Sequence, residues 1–148
     1  MLERAIRKRM TEIPALTALV SDRIYPVMAP QGGTLPCVVF RQVGGGRFGA
    51  TLDGKTIGPR VIVLRLQCMA TTYDAARNLA RAVRGTNAAR GLHAFFGTVT
   101  GVPIDDSGAT AEVAVRGCAL VDGSESDDYV PDVKLFIVAQ DYQVTGKE

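Results

Sequence analysis

Arg60-Val61-Ile62-Val63-Leu64-Arg65-Leu66-Gln67-Cys68-Met69-Ala70 runs straight into Thr71-Thr72-Tyr73-Asp74-Ala75-Ala76-Arg77-Asn78-Leu79-Ala80-Arg81-Ala82-Val83-Arg84, and the change of period between the two stretches decides the fold. In the first, Ile62, Leu64, Leu66 and Cys68 alternate with Val61, Val63, Arg65 and Gln67, which is the period of a strand. The even-numbered face is the more apolar and is predicted to pack against helices. In the second, Ala76, Leu79, Ala80 and Val83 recur at helical spacing behind Thr71 or Thr72 as N-cap, predicting a helix over 71–89. Arg77, Arg81 and Arg84 line much of its opposite side.

Outward from this unit the same two periods recur. Leu2, Ala5, Ile6, Met10 and Ile13 mark an amphipathic N-terminal helix with a basic exterior, which Pro14 ends, and a short second helical piece follows over 15–20. Residues 21–35 read as a loop, 36–43 as a strand that begins at Pro36, and 44–59 as a glycine-rich flexible loop. After the central helix, 98–104, 111–121 and 133–144 are three further strands, separated by turn residues 105–108 and by an acidic loop over 122–131. The order α-β-β-α-β-β-β predicts one α+β domain over 1–148: a largely antiparallel sheet with its helices packed on one face. A chain of 148 residues with 47% hydrophobic and 22% charged residues can bury such a core without disulfides or metal.

The formal charge of +2 is too small for a general polyanion binder, but it is unevenly distributed. Residues 1–90 carry fourteen basic and five acidic side chains, an excess of nine, and 91–148 carry three and ten, a deficit of seven. Cys37, Cys68 and Cys118 are far apart in apolar runs, the pattern of buried free thiols in a reducing compartment. The N-terminus has no apolar signal core and no run approaches the roughly 18 apolar residues of a membrane span, so the expectation is a soluble protein without a signal peptide.

Several patterns look chemical. Gly49-Ala50-Thr51-Leu52-Asp53-Gly54-Lys55-Thr56 satisfies the phosphate-loop pattern GxxxxGK[ST]. That chemistry needs a helix starting at Lys55-Thr56, whose amides cradle the phosphates, yet Gly58-Pro59 and the β-branched run Val61-Ile62-Val63 follow. Gly44-Gly45-Gly46-Arg47-Phe48-Gly49 fits GxGxxG and fails on the same missing helix. His93, beside Phe95 and Phe96, reads as a structural imidazole, and no nucleophile motif accompanies it. Asp105-Asp106 and the group Asp122, Glu125, Asp127, Asp128 and Asp132 fit no calcium loop. Neither catalytic residue, cofactor nor metal is expected. A nucleotide-dependent enzyme acting through 49–56 and a nucleic-acid module using Arg77, Arg81 and Arg84 remain the alternatives at this point.

Arg23-Ile24-Tyr25-Pro26, Ala29-Pro30-Gln31-Gly32, Leu35-Pro36-Cys37-Val38-Val39-Phe40, Gln67-Cys68-Met69-Ala70, Thr72-Tyr73-Asp74-Ala75-Ala76-Arg77, Asp128-Tyr129 and Gln140-Asp141-Tyr142-Gln143-Val144, taken in this order, resemble the tail completion or tail terminator proteins of long-tailed bacteriophages. The resemblance covers most of 23–144. It implies a small α+β subunit of the virion that forms a ring, typically a hexamer, at the head-proximal end of the tail, made in the host cytoplasm. Such a ring stops tube polymerisation and meets the head connector, so the implied partners are further copies of itself, the tail-tube protein and a head-completion protein. DNA only passes through the lumen, and no membrane is involved. A head-to-tail ring needs two different complementary patches per subunit, which the uneven charge can supply. The candidate interface residues are accordingly Arg47 and Phe48 in the glycine-rich segment, Arg77, Arg81 and Arg84 on the helix, and Asp127, Asp128 and Tyr129 in the acidic segment.

Overall fold

The structure, a computed structural model, describes residues 1–47, 59–86, 88 and 90–147. Among them, helices α1 (Leu2–Thr11), α2 (Pro14–Val20) and α3 (Tyr73–Arg84) accompany strands β1 (Ile24–Pro26), β2 (Cys37–Arg47), β3 (Arg60–Ala70), β4 (Phe95–Pro103), β5 (Thr110–Leu120), β6 (Ser126–Val130) and β7 (Leu135–Lys147). The strands form one sheet in the order β1-β2-β3-β7-β5-β4, with β6 beside the first half of β7 and β5 beside its second half. All pairings are antiparallel except that of β1 with β2. This is the α+β arrangement that the alternating periods predict.

The even-numbered face of β3 is buried at Ile62, Leu64, Leu66, Cys68 and Ala70, while its other face is half-exposed. Val138, Tyr142 and Val144 continue the buried face on β7. Leu2, Ala5, Ile6 and Met10 of α1, Leu16 and Val20 of α2, and Ala76, Leu79, Ala80 and Val83 of α3 close over it in one core. Each fully buried Leu or Ile contributes roughly 2 kcal/mol, and this burial holds the helices on the sheet. Pro14 occupies the first turn of α2, where its missing N–H is harmless. Thr72 caps α3, its Oγ1 accepting from Ala75 N–H at 3.2 Å.

Strand β4 begins at Phe95 rather than 98 and β7 runs on to Lys147 rather than 144, and four further differences from the sequence reading have physical reasons. The glycine run is not loop from residue 44: β2 continues to Arg47, pairing Gly44 with Val63 and Arg47 with Arg60 after a bulge between Gln42 and Gly44. At Gly45 (φ +146°) a Cβ would stand 2.7 Å from the Val61 carbonyl oxygen, so glycine here serves a close backbone approach within a strand. Within the 21–35 loop, Ile24–Pro26 forms β1, three residues being too short for alternation to be visible. The acidic segment contains β6, whose residues are mostly exposed because it covers only the rim of β7, so charge there is compatible with pairing. Finally, α3 stops at Arg84 rather than 89: Gly85 (φ +88°) caps it, donating to the Arg81 carbonyl at 2.8 Å.

Candidate assembly surface

The two ends of α3 carry different electrostatic arrangements. Toward the N-terminal end, Arg77 donates to the Glu125 carboxylate, to Asp127 Oδ2 at 3.2 Å and to the Tyr73 hydroxyl at 3.0 Å, and Tyr73 in turn donates to Asp127 at 3.3 Å. These contacts, led by the Tyr73 hydrogen bond, raise the Arg77 pKa further. Glu125 Oε2 also accepts from Gln140 Nε2 at 3.0 Å, and Gln140 Oε1 accepts from the Tyr142 hydroxyl at 3.0 Å. Gln140 is 1% exposed and Tyr142 fully buried, so this chain of bonds runs from the surface of α3 into the core. It fastens the edge strand β6 to the helix. Beside it Tyr129 lies against Phe136, with ring centroids 4.6 Å apart, and Phe136 meets Tyr73 edge-on at 6.3 Å.

At the C-terminal end of α3, Arg81, Arg84 and Arg90 are exposed, and among the described residues no carboxylate pairs with any of them. Together with His93 and Phe96 they line a hollow of about 640 Å³. His93 Nδ1 accepts from Leu120 N–H at 3.1 Å, which fixes the ring at the end of β5. Phe96 is 67% exposed. Across the ridge made by Arg81, Gly85 and Arg90 lies a second hollow of the same volume, between α2 and α3, walled by Ile13, Pro14, Ala15 and Leu19. The segment that carries Arg90 and His93 is anchored to α3 through its backbone. Leu92 N–H donates to the Val83 carbonyl at 2.8 Å, and His93 N–H to that of Arg84 at 3.1 Å. Gly91 sits so close to α3 that a Cβ would come within 2.4 Å of the Val83 carbonyl oxygen. From the other side Arg9 lies over the Phe95 ring, 4.6 Å from its centroid.

The sequence profile of the tail completion protein gp17 family matches residues 4–145. The chain belongs to this family. It is a structural component of a phage-type tail and hence of the virion, working in contact with other tail and head proteins. Its fold is shared by a chain in a structure described as the virion of a native gene transfer agent particle, with a TM-score of 0.59 at 13% identity over 99% of this chain and 95% of that one. Comparison with curated protein sequences returns no match.

Within this tail completion protein, the structure brings together some of the residues singled out from sequence and separates others. Arg77 and Asp127, taken from opposite charge halves as parts of complementary patches between subunits, are paired with each other in one chain. Arg81 and Arg84 have no carboxylate partner among the described residues, and Asp128 and Tyr129 lie exposed on β6, where Asp128 Oδ1 accepts from Tyr129 N–H at 2.7 Å. Arg47 is the last residue of β2, while Phe48 and the 49–56 pattern lie outside the described residues. Arg90, His93 and Phe96 were not among the expected surface residues, because only the turn after α3 carries them to the arginines. Gln140 was likewise invisible, since nothing in an alternating strand marks one polar residue as buried.

The remaining chemical candidates have structural roles. Asp105 Oδ1 accepts from the Ser107 hydroxyl and, at 2.8 Å, from its N–H, which lowers its pKa and makes Asp105-Asp106 a turn. Among the described residues no group of three or more His, Cys, Asp or Glu is placed to hold a metal ion. Cys37, Cys68 and Cys118 are free and buried; burial raises all three thiols, Cys118 to about 12, so they are poor nucleophiles. Arg65 and Asp141 form a bidentate pair, at 2.9 and 3.2 Å, across β3 and β7 on the open face of the sheet. Among the described residues no helix is long and apolar enough to cross a membrane.

Proposed function

We propose that this chain forms a ring, of six copies, at the head-proximal end of a phage-type tail, where it ends polymerisation of the tail tube and offers a surface to the head connector. The observation that carries this reading is the family match over residues 4–145. The role is structural and needs no reaction, cofactor or metal: its specificity lies in contacts with further copies of itself, with the tail-tube protein and with a head-completion protein. DNA passes through the lumen of the ring. A heterologous ring requires two unlike patches on one subunit, and unpaired cations gathered at one end of α3 support that requirement.

Deleting the gene in a producing strain tests the proposal. The expected result is tails that are overlong or unjoined to heads under electron microscopy, restored by the native chain supplied in trans. Tails of normal length joined to heads in the deletion strain overturn it.

A further inference from the structure

Charge and apolar surface are divided between the two ends of α3 in a way that no ion pair among the described residues uses. At the C-terminal end stands the basic groove of Arg81, Arg84, Arg90 and Phe96, with the apolar hollow of Pro14, Ala15 and Leu19 alongside. At the N-terminal end, Asp74, Asp128 and Asp132 are exposed and have no cationic partner among the described residues. Tyr129 and Val133, 44% and 65% exposed, stand among these acids on the β6–β7 hairpin. Residues 122–134 hold five acids and one base, Lys134, so the hairpin stays acidic even with Glu125 and Asp127 taken up by Arg77. An acid early in α3 and arginines late in it suit the helix dipole. Arg90, Asp128 and Asp132 lie outside the helix, however, and extend the division beyond what the dipole explains. Arg81 and Arg84 border a smaller hollow with Glu125 and Gln140 on one side, but Arg90, Phe96 and Leu19 lie outside it, and among the described residues no ion pair joins Asp128 or Asp132 to the groove of the same chain.

We infer that the β6–β7 hairpin of one copy seats in the groove at the C-terminal end of α3 of the next, Asp128 and Asp132 facing Arg84 and Arg90, with Tyr129 and Val133 against Phe96 and Leu19. This rests on the ring reading above and specifies its subunit contact. A protrusion at one end and a complementary recess at the other is a heterologous pair, the kind that closes into a ring. Charge sets the register of the contact, and the aromatic and aliphatic residues supply its buried centre. A second copy is favoured over duplex DNA because an apolar hollow and an exposed phenylalanine offer nothing to a phosphate backbone, whereas both fit the hairpin's Tyr129 and Val133.

Two charge-reversed chains test the contact: Arg84→Glu with Arg90→Glu, and Asp128→Arg with Asp132→Arg. All four positions are exposed, and matching thermal midpoints for both variants verify folding. Supplied singly to the deletion strain, each variant is expected to give at least tenfold fewer ring-capped tails than the native chain. Supplied together they are expected to restore rings containing both, because each variant's groove then faces the other's hairpin with opposite charge. Rings formed normally by either variant alone overturn the inference while leaving the ring reading intact, as does failure of the folded pair to complement. Salt-steep DNA binding that Arg84→Glu with Arg90→Glu abolishes while rings form as before also overturns it, in favour of a nucleic-acid surface. Absence of rings with the native chain overturns the ring reading itself.

Discussion

Arg77 and Arg84 stand two turns apart on α3 and share a side-chain type, the first half-buried and the second exposed, and they do different things. Arg77 is bound by Tyr73, Glu125 and Asp127 and works inside the subunit, tying down an edge strand too acidic and too exposed to hold itself. Arg84, which lines the hollow of Arg90, His93 and Phe96 and borders a smaller one with Glu125 and Gln140, forms no ion pair with a carboxylate among the described residues. Charge asymmetry along a chain is therefore not one quantity. Part of it is consumed in folding, and only the remainder is available for assembly.

The comparison can be broken by substitutions that separate stability from assembly. The largest expected effect is at Gly91→Ala, where the added methyl overlaps the backbone of α3; unfolding in urea is expected to show a loss of about 3 kcal/mol, and the groove is lost with it. Gln140→Leu keeps the volume but leaves the Tyr142 hydroxyl and Glu125 without their partner in the network, an expected loss of about 2 kcal/mol with β6 protons exchanging faster. An unchanged urea midpoint for Gln140→Leu would show that the network at the N-terminal end of α3 contributes nothing to folding.

High pH attacks the same core. Burial raises the Tyr142 hydroxyl and the Cys68 and Cys118 thiols, Cys118 from 9.0 to about 12. With folded pKa values above the unfolded ones, the neutral forms are favoured in the fold; their stabilisation is complete below about pH 9 and is lost as pH rises toward 12. The urea midpoint is expected to drop between pH 9 and pH 10, by about 1 kcal/mol for each group whose unfolded pKa is near 9. Constant stability over that interval would contradict the burial of these groups. Smaller again, Arg77→Ala is expected to lower the urea midpoint slightly, because its network is partly exposed rather than buried. Arg84→Ala is expected to change stability by less than about 0.5 kcal/mol while reducing ring formation. Equal stability losses at the two arginines would erase the distinction between the ends.

Much of this was legible in the sequence, for identifiable reasons. The alternation through 60–70 places β3 at its observed ends, and Thr72 marks the start of α3, because period and cap chemistry are local. Gly44-Gly45-Gly46 misled because glycine in a loop and glycine at a close strand crossing are the same letter, and only the position of Val61 on the partner strand separates them. The acidic β6 was hidden because an edge strand exposed on both faces has no apolar alternation to show. Of the assembly surface, Arg81, Arg84, Asp128 and Tyr129 could be named from charge and helical spacing. That Asp127 belongs to Arg77, and that Arg90 and Phe96 join the groove, depends on long-range packing between segments about 50 residues apart or on a tight turn after α3.

The most direct test of a head-to-tail contact is a cysteine pair, Phe96→Cys with Tyr129→Cys, in the same chain. The three native thiols are buried, so the new pair is the accessible one. Its members stand too far apart in one subunit for a disulfide: Phe95 registers through Cys118 with Val144 of β7, whereas Tyr129 registers with Phe136 at the other end of that strand. Oxidation of assembled tails is expected to yield a covalent ladder on non-reducing gels that ends at the ring number, with neither single cysteine variant producing it. Ring-capped tails that yield only monomer after oxidation would contradict the account.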